Sequence, residues 1–325
     1  MNHGANKTVQ DIEQKGFSTV SNLFSEDDIK ILTDECKRIL SNKNEYTAIS
    51  RKPDHNGFTP YNNTQSVTTA YNTVGRDIAG VSKKIDIILE RFLTKNRTVE
   101  ILNKILGNDY KLYTCTVRQA SHESSFVGLH QDADYQLSLS IFLNDIGSVN
   151  PTTVFFEGTH KLPFSFKSKF EAFDVEYFKK HLTPAIGKKG DVLFFLNKTL
   201  HGMKTSQKTI DDSAAIFLCF HPAGYHHKPW ILPKSSYYND SFLGGLGVEL
   251  KRLLDSNLDL YKKVDNKLVI KRNNLDEERV IDLVAHKQNY SFTEYMKSIV
   301  WWFRYIGFFL FRCVRKIYKI ATFKV

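Results

Sequence analysis

Cysteine is scarce in this chain. There are four in 325 residues, Cys36, Cys115, Cys219 and Cys313, scattered with no paired spacing. That argues against a disulfide framework and a zinc knuckle. It fits a reducing compartment, so the expected location is the cytoplasm. An apolar leader is also missing: the opening MNHGANKTVQDIEQKG is polar, and no secretory signal is read there. The chain has no internal repeat and no low-complexity tract. The most apolar run, near the C-terminus, is broken by Arg304, Gly307 and Arg312. A spanning helix needs about 20 mostly apolar residues, so none is expected. Basic residues outnumber acidic ones, 45 to 35, for a net charge of +10. They are not interleaved with aromatics as a base-stacking groove requires, so nucleic acid is not expected as a partner.

What is present begins with enough apolar residues, 42%, for a large core. Residues 1–12 read as a polar tail, and 16–20 as a short strand. Ser25 is a helix N-cap, followed by Glu26, Asp27 and Asp28 where the helix dipole favours anions. Residues 43–80, rich in Asn, Thr, Gly and Tyr, read as a long loop with room for one strand. Apolar periodicity predicts helices over 82–94 and 99–106, the second stopped by Gly107. Strands are expected over 110–118, 152–156, 192–196 and 214–220, with an aromatic, lysine-rich helical insertion at 163–181. Several short strands with turn punctuation point to a mainly β fold, a barrel or two-sheet jelly roll, with flanking helices.

The stretch that organises the chain is LHQDADYQLSLSIFL, Leu129 to Leu143. Tyr135, Leu137, Leu139, Ile141 and Leu143 fall on one face. Gln136, Ser138, Ser140 and Phe142 fall on the other, the period of a strand. At its mouth stand His130 and Asp132, which at i and i+2 point the same way along a strand and can reach one ion. Far downstream, His201 follows the apolar strand in DVLFFLNKTLHG. Two histidines and one carboxylate are the facial triad of non-haem Fe(II) oxygenases, which leaves open positions for O2 and a bidentate acid.

Four ordered motifs now share one resemblance: the Gly16-Phe17 strand with the Ser25 helix, LHQDADYQLSLSIFLNDI, TTVFFEGTHKLP and KKGDVLFFLNKTLHG. Over about residues 14–225 the chain resembles the phytanoyl-CoA dioxygenase family of Fe(II)/2-oxoglutarate oxygenases. The resemblance implies a double-stranded β-helix, a cupin-like barrel, with N-terminal helices. It implies Fe(II) held by His130, Asp132 and His201, 2-oxoglutarate as cosubstrate, and hydroxylation of an unidentified small-molecule or lipid-linked substrate.

One departure stands out. The family carries an arginine some ten to twelve residues after the distal histidine, whose guanidinium fork clamps the far carboxylate of 2-oxoglutarate. Here Asp211, Asp212 and Ser213 fill that region, and no arginine lies between His201 and Arg252. Arg118, Lys204 and Lys208 are the candidate replacements. Two alternatives stay open: an iron oxygenase that does not use 2-oxoglutarate, and a non-catalytic barrel that binds a metal or ligand.

The other histidines are read as structural. His160 in the Gly-Thr-His-Lys turn is a hydrogen-bonding residue, His122 a loop residue, and the adjacent His226 and His227 would face opposite ways on a strand. After Pro233 the composition shifts, dividing the chain into an oxygenase domain over 1–235 and a helical extension over 236–325. Helices are expected over 246–254 and 275–286. The end, IVWWFRYIGFFLFRCVRKIYKIATFKV, carries a basic stripe of Arg304, Arg312, Arg315, Lys316 and Lys319 beside tryptophans and phenylalanines. Residues 299–319 are expected to lie on an anionic membrane surface at its inner face; packing on the domain or on a second copy is the alternative.

Overall fold

The computed structural model describes residues 3–41, 73–120, 127–132, 136–161, 179–204, 213–222, 244–254, 261–264 and 267–270. The expected helices at 275–286 and 299–319 lie outside these residues. So do Lys208, His122, His226, His227, the Asp211-Asp212 pair and most of the insertion at 163–181.

The chain opens with α1 (His3–Lys15), β1 (Phe17–Val20) and α2 (Glu26–Ser41). Next come β2 (Thr73–Asp77), α3 (Lys83–Thr94) and α4 (Asn96–Leu106). The strands β3 (Tyr110–Ala120), β4 (Val127–His130), β5 (Leu137–Phe142), β6 (Thr152–Phe155), β7 (Thr183–Pro184), β8 (Val192–Leu196), β9 (His201–Lys204) and β10 (Ser213–Pro222) follow. Last are α5 (Val248–Leu254) and the antiparallel pair β11 (Tyr261–Val264) and β12 (Lys267–Ile270). The fold is mainly β with helices. Six strands form one antiparallel sheet in the order β1-β8-β5-β10-β3-β2, and four form a second in the order β4-β9-β6-β7.

The alternation in β5 is real, yet every residue of the strand is buried. Leu137, Leu139 and Ile141 join a core that includes Phe194 of β8, Ile216 and Leu218 of β10, and the apolar stripes of the helices. The opposite face looks toward the second sheet. There Phe155 of β6 stacks on Phe17 at 4.3 Å and meets Phe195 at 5.3 Å, tying the two sheets together. Ser138 and Ser140 on that face line an internal cavity rather than solvent. A strand that reads as half-exposed is therefore a central strand with one apolar side and one functional side.

The N-terminus is a helix, not the polar tail its composition suggests. Ala5, Val9 and Ile12 are its buried apolar residues, spaced four and three apart on one stripe. The helix packs on α4, β1 and β8. Its end is set by Gly16, whose N–H donates to the Ile12 carbonyl and whose φ is +94°. The Gly16 carbonyl accepts from the Leu196 N–H at 2.9 Å and from Thr199 Oγ1 at 3.2 Å. A Cβ at this position would stand 2.2 Å from Thr199 Oγ1. Gly16→Ala combines a left-handed backbone cost of about 1–2 kcal/mol with that collision. Its urea midpoint is expected to fall well below that of wild type, and adding Thr199→Ala should restore only part of the loss. An unchanged midpoint would mean that α1 carries none of the stability.

Although α5 is only seven residues long, it buries Leu250, Leu253 and Leu254 in the main core. Such a helix has no stability of its own. The Glu90 carboxylate from α3 accepts from the N–H groups of Glu249 at 2.6 Å and Leu250 at 2.8 Å. At the other end, Lys111 Nζ donates to the Arg252 carbonyl at 2.7 Å.

Candidate metal centre

His130 and Asp132 do not sit on the strand that follows them. His130 is the last residue of β4, in the small sheet, while β5 belongs to the large one. Asp132 lies in the connection between the sheets, its N–H donating to the Asn197 carbonyl at 3.0 Å. His201 opens β9, and its backbone pairs directly with His130. Antiparallel pairing brings the two imidazoles together, 4.4 Å between ring centroids.

His130 Nε2 is 3.6 Å from Asp132 Oδ1, and His201 Nε2 is 3.6 Å from Asp132 Oδ2. One ligand atom from each residue lies within 4.8 Å of the others, the one such group found among the described residues. His130 Nδ1 stands 2.7 Å from the Gly128 carbonyl, and His201 Nδ1 stands 2.7 Å from the Thr199 carbonyl. A carbonyl only accepts, so Nδ1 carries a proton in both rings, and Nε2 is the nitrogen left to face Asp132. Burial works to raise the Asp132 carboxyl, but the imidazoles of His201 and His130, with the Arg118 guanidinium beyond them, outweigh it. The group is held well below the usual carboxylate range and stays ionised. Two imidazole nitrogens and one carboxylate suit a divalent transition metal.

The triad opens into a cavity of about 260 Å³ between the sheets. Phe142, Ile146, Phe195 and Phe217 supply apolar wall. Ser140, Thr152, Thr153, Ser213 and Gln119 supply hydrogen-bonding groups. Arg118 reaches the cavity from β3, its guanidinium 4.7 Å from the Phe217 ring centroid. Lys204 is placed at the end of β9, paired with Thr152, and its side chain is outside what the structure describes.

Residue-level reading missed Asn197. It is 3% exposed, and its Nδ2 donates to Asp132 Oδ2 at 3.4 Å and to Gln136 Oε1 at 3.2 Å. Nothing in a lone asparagine after an apolar strand marks it; only the fold brings it to the triad.

His160 is structural, as expected. Its Nε2–H donates to the Glu13 carbonyl at 3.0 Å, tying the turn after β6 to α1, while Nδ1 is buried without a hydrogen-bond partner. Burial depresses its pKa to about 4, with Lys161 and Lys198 adding to the effect. The unfolded state takes up the proton near pH 6.5 and the native state does not. The stability held by a neutral His160 is complete above that pH and is lost as pH falls toward 4, by about 3 kcal/mol in all. His221, buried at the end of β10 with a pKa of about 4, acts with the same sign. Asp86, raised by burial to about 6, opposes both. Urea midpoints measured from pH 7 to pH 4.5 are expected to fall less steeply in His160→Gln than in wild type. Equal slopes would show that His160 protonates freely in the native state.

Two antiparallel sheets enclosing a two-histidine, one-carboxylate set is the plan of the non-haem metal oxygenases. The chain matches the family model of phytanoyl-CoA dioxygenase (PhyH) over residues 12–208, and it belongs to that family. It is an Fe(II)- and 2-oxoglutarate-dependent dioxygenase by that membership, as the motifs implied. No curated protein sequence matches it. Among solved structures it is similar to HygX from Streptomyces hygroscopicus with nickel and 2-oxoglutarate bound, at 13% identity. That match covers 74% of this chain and 96% of the other, with a TM-score of 0.52. It is also similar to EctD from S. alaskensis with 2-oxoglutarate and 5-hydroxyectoine, at 15% identity, 70% and 80% coverage, and a TM-score of 0.53. At these identities the likeness is one of fold.

Proposed function

We propose that the chain hydroxylates a small molecule in the cavity between its sheets, with His130, Asp132 and His201 as the iron ligands and Arg118 as the clamp for 2-oxoglutarate. The observation that carries the ligand assignment is the convergence of one ligand atom from each residue within 4.8 Å, with both Nδ1 atoms turned away to backbone carbonyls. We take the two sheets to be the halves of a double-stranded β-helix over residues 1–235, with α5 docked on its helical side.

The chain's own residues then have definite tasks. Asp132 and the Nε2 atoms of the two imidazoles would hold the metal. The Arg118 guanidinium presents a planar fork to a carboxylate, and the Phe217 ring at its face leaves the N–H edge to do so. The phenylalanines exclude water, and the serine and threonine hydroxyls orient polar groups of the substrate. Bound iron with 2-oxoglutarate supplies the oxidation, in which O2 and the cosubstrate give succinate, CO2 and a hydroxylated product.

The two solved relatives carry small polar ligands, hygromycin B in another HygX structure and 5-hydroxyectoine in EctD, which favours a small molecule over a lipid chain. For residues 299–319 the support is the sequence alone: that stretch would carry the enzyme to an anionic membrane surface. No helix among the described residues is long and apolar enough to cross a membrane.

The test is anaerobic titration of the full chain with Fe(II) and then 2-oxoglutarate. A weak visible charge-transfer band that needs both additions is expected, followed by succinate formation when O2 is admitted. Iron uptake without a band would remove 2-oxoglutarate from the assignment. No iron uptake would reduce the barrel to a scaffold.

A further inference from the structure

Asp132 stands in a connection between two sheets, with its side chain 48% exposed. A carboxylate so placed has many rotamers open to it, and a metal site needs one. The neighbouring side chains restrict it in series. Asn197 donates from Nδ2 to Asp132 Oδ2 and to Gln136 Oε1, which uses both of its amide protons. Its Oδ1 accepts from Ser138 Oγ at 2.6 Å. The single hydroxyl proton of Ser138 is spent on Asn197, so the contact of Ser138 Oγ with Cys219 Sγ at 3.1 Å has the thiol as donor.

The Asp132 carboxylate, which only accepts, decides which end of the carboxamide it meets, and the Ser138 hydroxyl donates to the oxygen at the other end. If the amide flipped, its oxygen would face two acceptors, Asp132 Oδ2 and Gln136 Oε1. Backbone bonds hold the frame: Asp132 N–H to the Asn197 carbonyl and Asn197 N–H to the Gln136 carbonyl, each at 3.0 Å. The side-chain bond to Asp132, at 3.4 Å, is the longest of the set.

We propose that Asn197, itself oriented by Ser138, is the positioning residue that holds the Asp132 carboxylate in its metal-binding pose. The proposal rests on the reading of His130, Asp132 and His201 as a metal site. Outer-shell partners of this kind set ligand orientation, and their loss typically costs about 10–100-fold in metal affinity.

The experiment is calorimetric titration of the full chain with Mn(II), which needs no exclusion of air, alongside thermal melts of the metal-free proteins. Wild type should bind one ion, and Asp132→Ala none. Asn197→Ala should bind about 10–100-fold more weakly, measured on protein that its metal-free melt shows to be folded. Ser138→Ala should weaken binding by less, and should add nothing in an Asn197→Ala background. Wild-type affinity in Asn197→Ala would overturn the proposal, as would a full Ser138→Ala effect in the double variant. If Asn197→Ala does not fold, Ser138→Ala decides alone, and an unchanged affinity there counts against the proposal. A wild type that binds no Mn(II) would instead overturn the triad assignment, and the role of Asn197 would fall with it.

Discussion

His201→Ala is expected to bind iron too weakly to measure and to form succinate from 2-oxoglutarate only at the rate of free iron. One of three protein ligands is lost, so the effect should exceed the 10–100-fold that follows removal of an outer-shell partner. The variant also has a packing cost. His201 is buried, 5.2 Å from the Phe195 ring and 6.1 Å from that of Phe155. A lower melting temperature alone would therefore prove nothing about the metal. Asp132→Ala separates the two effects, because its side chain is 48% exposed and fills no core space. Both variants should lose iron, and only His201→Ala should lose appreciable stability. Stoichiometric iron in either one, measured by metal analysis after desalting, would remove that residue from the ligand set.

Much of this site can be read from residues, but for a reason that differs from the one first apparent. His130 and Asp132 look joined by their spacing along a strand. In the fold Asp132 lies past the end of β4, and the partner of His130 is His201 across an antiparallel pair. The motif was legible because the residue types are scarce in combination. The geometry was not, because strand pairing is a long-range property that local periodicity does not encode. The alternation of β5 was legible on both faces, since Leu137, Leu139 and Ile141 meet helices while Ser138 and Ser140 meet the cavity. Polar residues at every second position signalled a functional interior as readily as solvent. The N-terminal helix was hidden because Ala5, Val9 and Ile12 are a thin apolar signal among polar neighbours. Its stability comes from docking on α4 and β1 rather than from its own sequence.

Arg118→Ala is expected to raise the KM for 2-oxoglutarate by about 30-fold or more while leaving iron binding intact. Removing one partner of a charge pair in a bound complex costs about 2–5 kcal/mol, and each 1.4 kcal/mol is tenfold. The lower end applies here because Arg118 is exposed before the cosubstrate arrives. The usual arginine of the family would stand near the start of β10, where this chain has Ser213 and then Ala215 on the cavity face. Arg118 pairs directly with Ala215 from the adjacent strand. Adjacent strands are about 4.8 Å apart, a shift that an arginine side chain can span. The small side chain at Ala215 leaves room for it to do so. Charge and fork contribute separately, so Arg118→Lys should recover part of the affinity and not all of it. Lys204→Ala and Lys208→Ala should leave the KM unchanged. A wild-type KM in Arg118→Ala with a raised one in Lys208→Ala would move the clamp to the segment after β9. Unchanged values in all three variants, with iron still bound, would mean that the acid in this site is not held by a cation from any of these positions.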